Sequence, residues 1–280
     1  RVNRNLTLTY GLRADLPVFL NKPTENPTFN ATKFAKDNNE YVGVVPKATP
    51  LWAPRFGFRM YIDDDHKALL RGGVGLFTGQ APFVWLSNAY NNTGMEAKSI
   101  SVNNPANKEG FKFTSTPYED LVKTGVFKAS GSGATINTMN EKFKYPQTFR
   151  VNLGYDQNLG NGFKFTFDGL FSKTLNNVMF TNLAISSNAK VYAVNPAVAA
   201  SNPESAAAPY YTIDSGDYYA IVALTNTSAG YTYSLSGKLE KHFDWGLDLM
   251  GAYTFGHSYS VNDGTSSVAY SNWKYNYAVD

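Results

Sequence analysis

Seven runs of alternating apolar and polar residues, connections that alternate between long and short, and central charges confined to one face point to an all-β chain. Together they predict an antiparallel, up-and-down transmembrane β-barrel segment of about seven to eight long strands, part of a larger barrel. Residues 146–174 show the pattern most clearly. Phe149, Val151, Leu153 and Tyr155 take one face of the first arm, and Arg150, Asn152, Gly154 and Asp156 take the other. In the returning arm Phe163, Phe165, Phe167 and Phe171 oppose Lys164, Thr166 and Asp168. The Asn- and Gly-rich stretch 157–162 between them supplies the positive backbone angles that a hairpin turn needs.

The remaining strands follow this template. In residues 4–16, Leu6, Leu8, Tyr10 and Leu12 oppose Thr7, Thr9, Gly11 and Arg13, and Pro17 closes the run. A long loop, about 17–52, has several prolines and no sustained period. Residues 55–62 set Phe56, Phe58, Met60 and Ile62 against Arg55, Gly57, Arg59 and Tyr61. Asp63, Asp64 and Asp65 form a tight turn, and 67–79 return with Leu70, Val74 and Leu76 against Arg71, Gly73 and Gly75. A second long loop, about 80–145, precedes the hairpin; a third, about 176–228, follows it. Within the third, 218–226 reads as a strand reaching beyond the main sheet. Tyr231, Tyr233, Leu235 and Leu239 then oppose Thr232, Ser234, Ser236, Lys238 and Glu240. After a turn at 242–246, Leu247, Leu249, Tyr253 and Phe255 oppose Asp248, Met250, Ala252 and Thr254. A shorter loop at Asn262, Asp263 and Gly264 leads to 269–280, read here as an eighth strand.

Half-buried sheets of soluble proteins also alternate, so a secreted β-sandwich binding module is the competing architecture. Three features favour the membrane barrel. Every long connection falls at the same end, the arrangement of external loops and periplasmic turns. The strands run to about 10–13 residues against a mode of about 5–6 in globular sheets. Finally, the central Arg and Lys side chains all stay off the apolar face, where each would cost roughly 2–4 kcal/mol at mid-membrane. Arg4, Lys173 and Lys241 depart from the rule only at strand ends.

Composition narrows the function. The chain has 280 residues, a net charge of +3 and no cysteine, which excludes a disulfide scaffold and thiolate metal sites. Its basic residues are scattered, giving no nucleic-acid footprint. No apolar run is long enough for a transmembrane helix, a result that leaves barrels open. His66, His242 and His257 sit at turns or strand ends with no metal spacing and no matched nucleophile, so the chain reads as a non-enzyme without a cofactor. The Asp63–Asp65 run lacks a calcium-loop spacing and reads as a solvated turn. The Gly72, Gly73 and Gly75 cluster lies inside a strand with no following Lys-Ser/Thr, and reads as close backbone approach rather than a phosphate loop.

Residues 54–58, Pro-Arg-Phe-Gly-Phe, and 70–82, Leu-Arg-Gly-Gly-Val-Gly-Leu-Phe-Thr-Gly-Gln-Ala-Pro, resemble the barrel of TonB-dependent outer-membrane receptors, the Oar-like group of Bacteroidetes above all. The strings at 85–88, 92–94, 148–156 and 224–231 extend the likeness, which is thin in the long loops. The resemblance implies a location in the outer membrane of a Gram-negative cell, in contact with lipid and lipopolysaccharide. It also implies a nutrient-importing barrel with an N-terminal plug, energised by the TonB complex; a surface lipoprotein is a further candidate partner. A passive porin or structural outer-membrane protein is the alternative. The chain shows no plug and no TonB box, so 1–280 is expected to be an internal or C-terminal part of one barrel domain.

On this reading Arg55, Arg59, Arg71, Arg150, Asp156 and Asp168 line the lumen wall. They would contact the plug or an anionic solute, or pair with one another. Trp52, Trp85, Tyr90, Tyr210 and Tyr211 are loop aromatics placed to contact a ligand, or to pack within the loops and the interfacial girdle.

Overall fold

The computed structural model describes residues 2–95, 115, 134–193, 207–213, 218–262 and 264–275; for 186–193 and 207–213 it gives the backbone path. The strands are β1 (Leu6–Asp15), β2 (Leu51–Tyr61), β3 (Ala68–Thr78), β4 (Ala134–Met139), β5 (Gln147–Gly160), β6 (Phe163–Asn182), β7 (Ile185–Ala193), β8 (Ala207–Ile213), β9 (Tyr218–Thr227), β10 (Tyr231–His242) and β11 (Asp248–Tyr259). Among the described residues four short helices accompany them: α1 (Pro27–Asn30), α2 (Lys33–Asn38), α3 (Phe83–Asn91) and α4 (Ala269–Lys274).

Seven strands form an antiparallel wall in the order β1-β2-β3-β5-β6-β10-β11. Its register brings like faces together. One row runs Leu8, Phe58, Gly72, Leu153, Gly169, Leu235, Phe255, and the next Tyr10, Phe56, Val74, Val151, Phe171, Tyr233, His257. These apolar rows are uncovered: Tyr10, Leu12, Leu153, Leu235, Leu249 and Phe255 are all exposed. The hairpin between β5 and β6 is tighter than the sequence suggests, because both strands run up to a two-residue turn. Asn161 (φ 50°) and Gly162 (φ 76°) adopt the left-handed angles of that turn. At the β2–β3 turn the Asp63 carboxylate accepts from the backbone N–H groups of Lys67 (3.1 Å) and Ala68 (3.0 Å), so that aspartate closes the turn.

Beyond one end of the wall the chain builds a packed cap. β6 runs on past the wall, and its residues 177–182 pair with β9, which in turn pairs in parallel with β4. Ala220 through Leu224 are buried without a break, as a strand covered on both faces must be. Ala220, Val222 and Leu224 join Val178, Phe180, Leu86 and Met139 in one core, against α3 and α4. Ile221 enters a second core on the opposite face with Phe29, Ala35, Val42 and Ile136. Capping side chains fix the helices on that side: Asn26 accepts from the N–H of Phe29 (3.0 Å), and Thr32 from that of Ala35 (3.2 Å).

Three expectations need correction. The segment expected as an eighth strand is helical: residues 269–274 form α4. Ala269, Asn272 and Trp273 recur at helical spacing and turn onto the cap core, outweighing the alternation of Val268 and Tyr270. The strand expected at 55–62 starts at Leu51 and passes through Pro54. Pairing with β3 begins only at Arg55, so the missing N–H of Pro54 leaves no gap in that ladder. Trp52 therefore stands on a strand opposite Ala14 rather than in a loop. The run at 218–226, by contrast, is a strand outside the wall as expected.

Glu40 is a buried carboxylate of the cap, receiving a hydrogen bond from the Asn140 side chain. Burial raises its pKa above the ordinary 4.5, and the Asn140 bond offsets only part of that. Because the folded value is the higher one, its contribution is fully present below the ordinary value and lost as pH rises through the raised value. Hydrogen exchange, corrected for intrinsic rates, should show amides of 33–42 and 134–140 gaining protection as pH falls through the raised value toward the ordinary 4.5. Glu40→Gln, which keeps the acceptor oxygen, should abolish that gain.

Candidate functional site

The polar face of the wall is the surface on which the sequence-derived residues meet. Its rows follow from the same register. Thr7, Arg59, Arg71, Gly154, Asp168, Ser236 and Thr254 lie across one row, and Asp156 and Thr166 are opposite each other in the next. Arg71 binds Asp156 at 2.9 Å and Asp168 at 2.8 Å, and the Thr166 hydroxyl donates to Asp156 at 3.0 Å. Gly154 makes the contact possible. A Cβ there would stand 2.5 Å from the Arg71 Cζ and 2.9 Å from an Asp168 oxygen. The arginine thus crosses a strand that has no side chain at that point, tying β3, β5 and β6 together.

The other arginines are placed differently. Arg55 and Arg150 sit on either side of Gly75 in one row. Their guanidinium groups lie over the same ring, that of Phe77, at 4.5 and 5.5 Å from its centre. Among the described residues neither forms an ion pair. Arg59 donates to the Tyr61 hydroxyl (2.9 Å) and stacks over that ring. An open recess of about 590 Å³ lies near the turn end of this face, bordered by Arg59, Tyr61, Arg71, Asp156 and Lys164. Sequence reasoning missed Phe77. The signal was present, since it is an aromatic residue in phase with Arg71, Gly73 and Gly75 rather than with Val74.

The aromatic candidates scatter. Trp52 is exposed on β2. Trp85, on α3, packs edge-on against Phe180 and donates its indole N–H to the carbonyl of Ser266 at 2.8 Å. Tyr90, also on α3, donates to the carbonyl of Asn21 at 2.7 Å. Tyr210 and Tyr211 lie on β8, paired with β7 away from the wall; their side chains fall outside the described residues. The cap residue that sequence reasoning passed over is Asn88. Its amide donates to Val84 and Ser267 carbonyls, both at 2.8 Å, while its oxygen accepts from Ala269 N–H, so one buried side chain joins α3 to α4.

The chain matches the outer membrane beta barrel domain family over residues 1–280. It belongs to that outer-membrane β-barrel family. In outer-membrane barrels apolar strand faces meet hydrocarbon and polar faces turn to the interior. The outer-membrane barrel is also similar to solved structures. These include a mutant of the ferric enterobactin receptor PfeA from Pseudomonas aeruginosa, with 12% identity over 74% of this chain and 22% of that one, TM-score 0.41. The outer membrane transporter YddB from Escherichia coli shares 12% identity over 75% and 21%, TM-score 0.38. The siderophore receptor PirA from Acinetobacter baumannii shares 14% over 79% and 24%, TM-score 0.40. The chain spans less than a quarter of the length of these structures. No curated protein matches it.

Gly154→Val should push the Arg71 head away from Asp168 and destabilise the folded barrel by about 1–2 kcal/mol. Gly11→Ala, where a Cβ meets nothing within 4 Å, should stay within about 0.5 kcal/mol. Urea unfolding of the two variants in vesicles measures the contrast.

Proposed function

We propose that this chain supplies barrel wall and outer cap to a TonB-dependent importer of a nutrient across the outer membrane. The observation that supports this best is the lumen face. It carries Arg55, Arg59 and Arg150 without ion-pair partners among the described residues. Such a face suits a lumen filled by another part of the protein better than a finished pore. The strings at 54–58, 70–82 and 148–156, which resemble the barrels of TonB-dependent receptors, point the same way. The reading includes a plug domain elsewhere in the full-length protein, through which the TonB complex acts. The cap, at the end bearing the long connections, would be the surface that meets the incoming solute. Chemistry on that solute has no place in the scheme.

The test uses the full-length protein in liposomes. Uptake that requires TonB and a plug segment is the expected result. A steady conductance independent of any partner, or a gene that encodes no plug, overturns the importer and points to a passive channel. The wall itself is checked by spin labels at Phe165, Phe167, Leu235 and Leu249, which should report hydrocarbon, whereas a label at Ser236 should report water.

A further inference from the structure

The structure assigns Arg55, Arg150 and Phe77 to an anion-docking site on the lumen face, one that takes a carboxylate or a comparable planar oxyanion; the assignment rests on that face being the lumen. Several other cations of the wall are engaged: Arg13 with Asp15, Arg71 with two aspartates, Lys238 with Glu240, and Arg59 with the Tyr61 hydroxyl. Arg55 and Arg150 are instead brought together. Gly75 lies between them in the row, and the space that a side chain would fill there is bounded by the Arg55 Cγ at 3.1 Å. Both guanidinium groups therefore lie over one ring, 4.5 and 5.5 Å from its centre. Two like charges held together on a common platform repel one another, and an oxyanion relieves that repulsion. A guanidinium held over an aromatic ring can still turn its N–H edge to a carboxylate, which it grips with paired hydrogen bonds. Both arginines are exposed, so an anion can reach them. Their row lies on the cap side of the Arg71 row, and a solute entering through the cap would meet it first.

A carboxylate can come from two sources: a segment of the protein that fills the lumen, or a dissolved solute. Phenylglyoxal modification of arginines in the full-length protein in proteoliposomes, read by peptide mass spectrometry, separates them. Citrate serves as the dissolved anion, and Asn152→Cys, exposed on the same face, reports water access through its reaction with a charged maleimide. If the protein's own carboxylates occupy the site, Arg55 and Arg150 react about tenfold more slowly than in Arg150→Gln and Arg55→Gln respectively, without added anion. If a solute does, both react freely and citrate slows them saturably by a similar factor, an effect lost in either Gln variant. Both results support the site. Free reaction that citrate leaves unchanged, with Asn152→Cys reactive, overturns it and leaves the lumen assignment standing. An unreactive Asn152→Cys overturns both. Stacking on Phe77 alone predicts that Arg150→Gln leaves Arg55 reactivity where it was.

Discussion

A one-residue slip between any two neighbouring strands of the wall would carry Arg71, Asp156 or Lys164 onto the face that holds Phe58, Leu153 and Leu235. In hydrocarbon each misplaced Arg or Lys costs roughly 2–4 kcal/mol, so the register is held by the environment as much as by the backbone bonds. The features of the polar face depend on it. Only in this register does Gly154 stand between Arg71 and Asp168, and Gly75 between Arg55 and Arg150. The glycines work here by omission, each clearing the path of a long cationic side chain across a strand.

The chain solves the burial problem twice. In the wall the apolar rows have no protein partner, and lipid takes the place of a core. In the cap Phe180 is buried in one core and Phe29, Ile136 and Ile221 in another, on opposite faces of β9. Polar groups follow the same division. Wall carboxylates meet Arg71 on the polar face, whereas the cap uses neutral amides such as Asn26 and Asn88 to satisfy backbone groups.

Much of the wall was legible from sequence because a lipid-facing strand must alternate strictly, and alternation is what a sequence shows best. Arg71, Asp156 and Asp168 were read onto one face, and the structure brings them within ion-pair distance. The cap was less legible. Residues 17–52 have no sustained period because α1 and α2 are about one turn long and are held by capping side chains. Likewise α4 was read as a strand since a six-residue helix leaves little periodicity to detect. The Asn88 contacts to residues almost the whole chain away have no local signal at all. The placing of Phe77 beneath two arginines could have been inferred from its phase, yet the convergence depends on Gly75 in between, which only the register reveals.

β6 leaves the wall and enters the cap as one strand. Its pairing with β5 skips Leu175 and ends at Asn176, and its pairing with β9 begins at Asn177, so the register shift falls where the strand changes partner. A bulge bends its strand and increases the local twist, so Leu175 is the point at which β6 can turn from the wall into the cap.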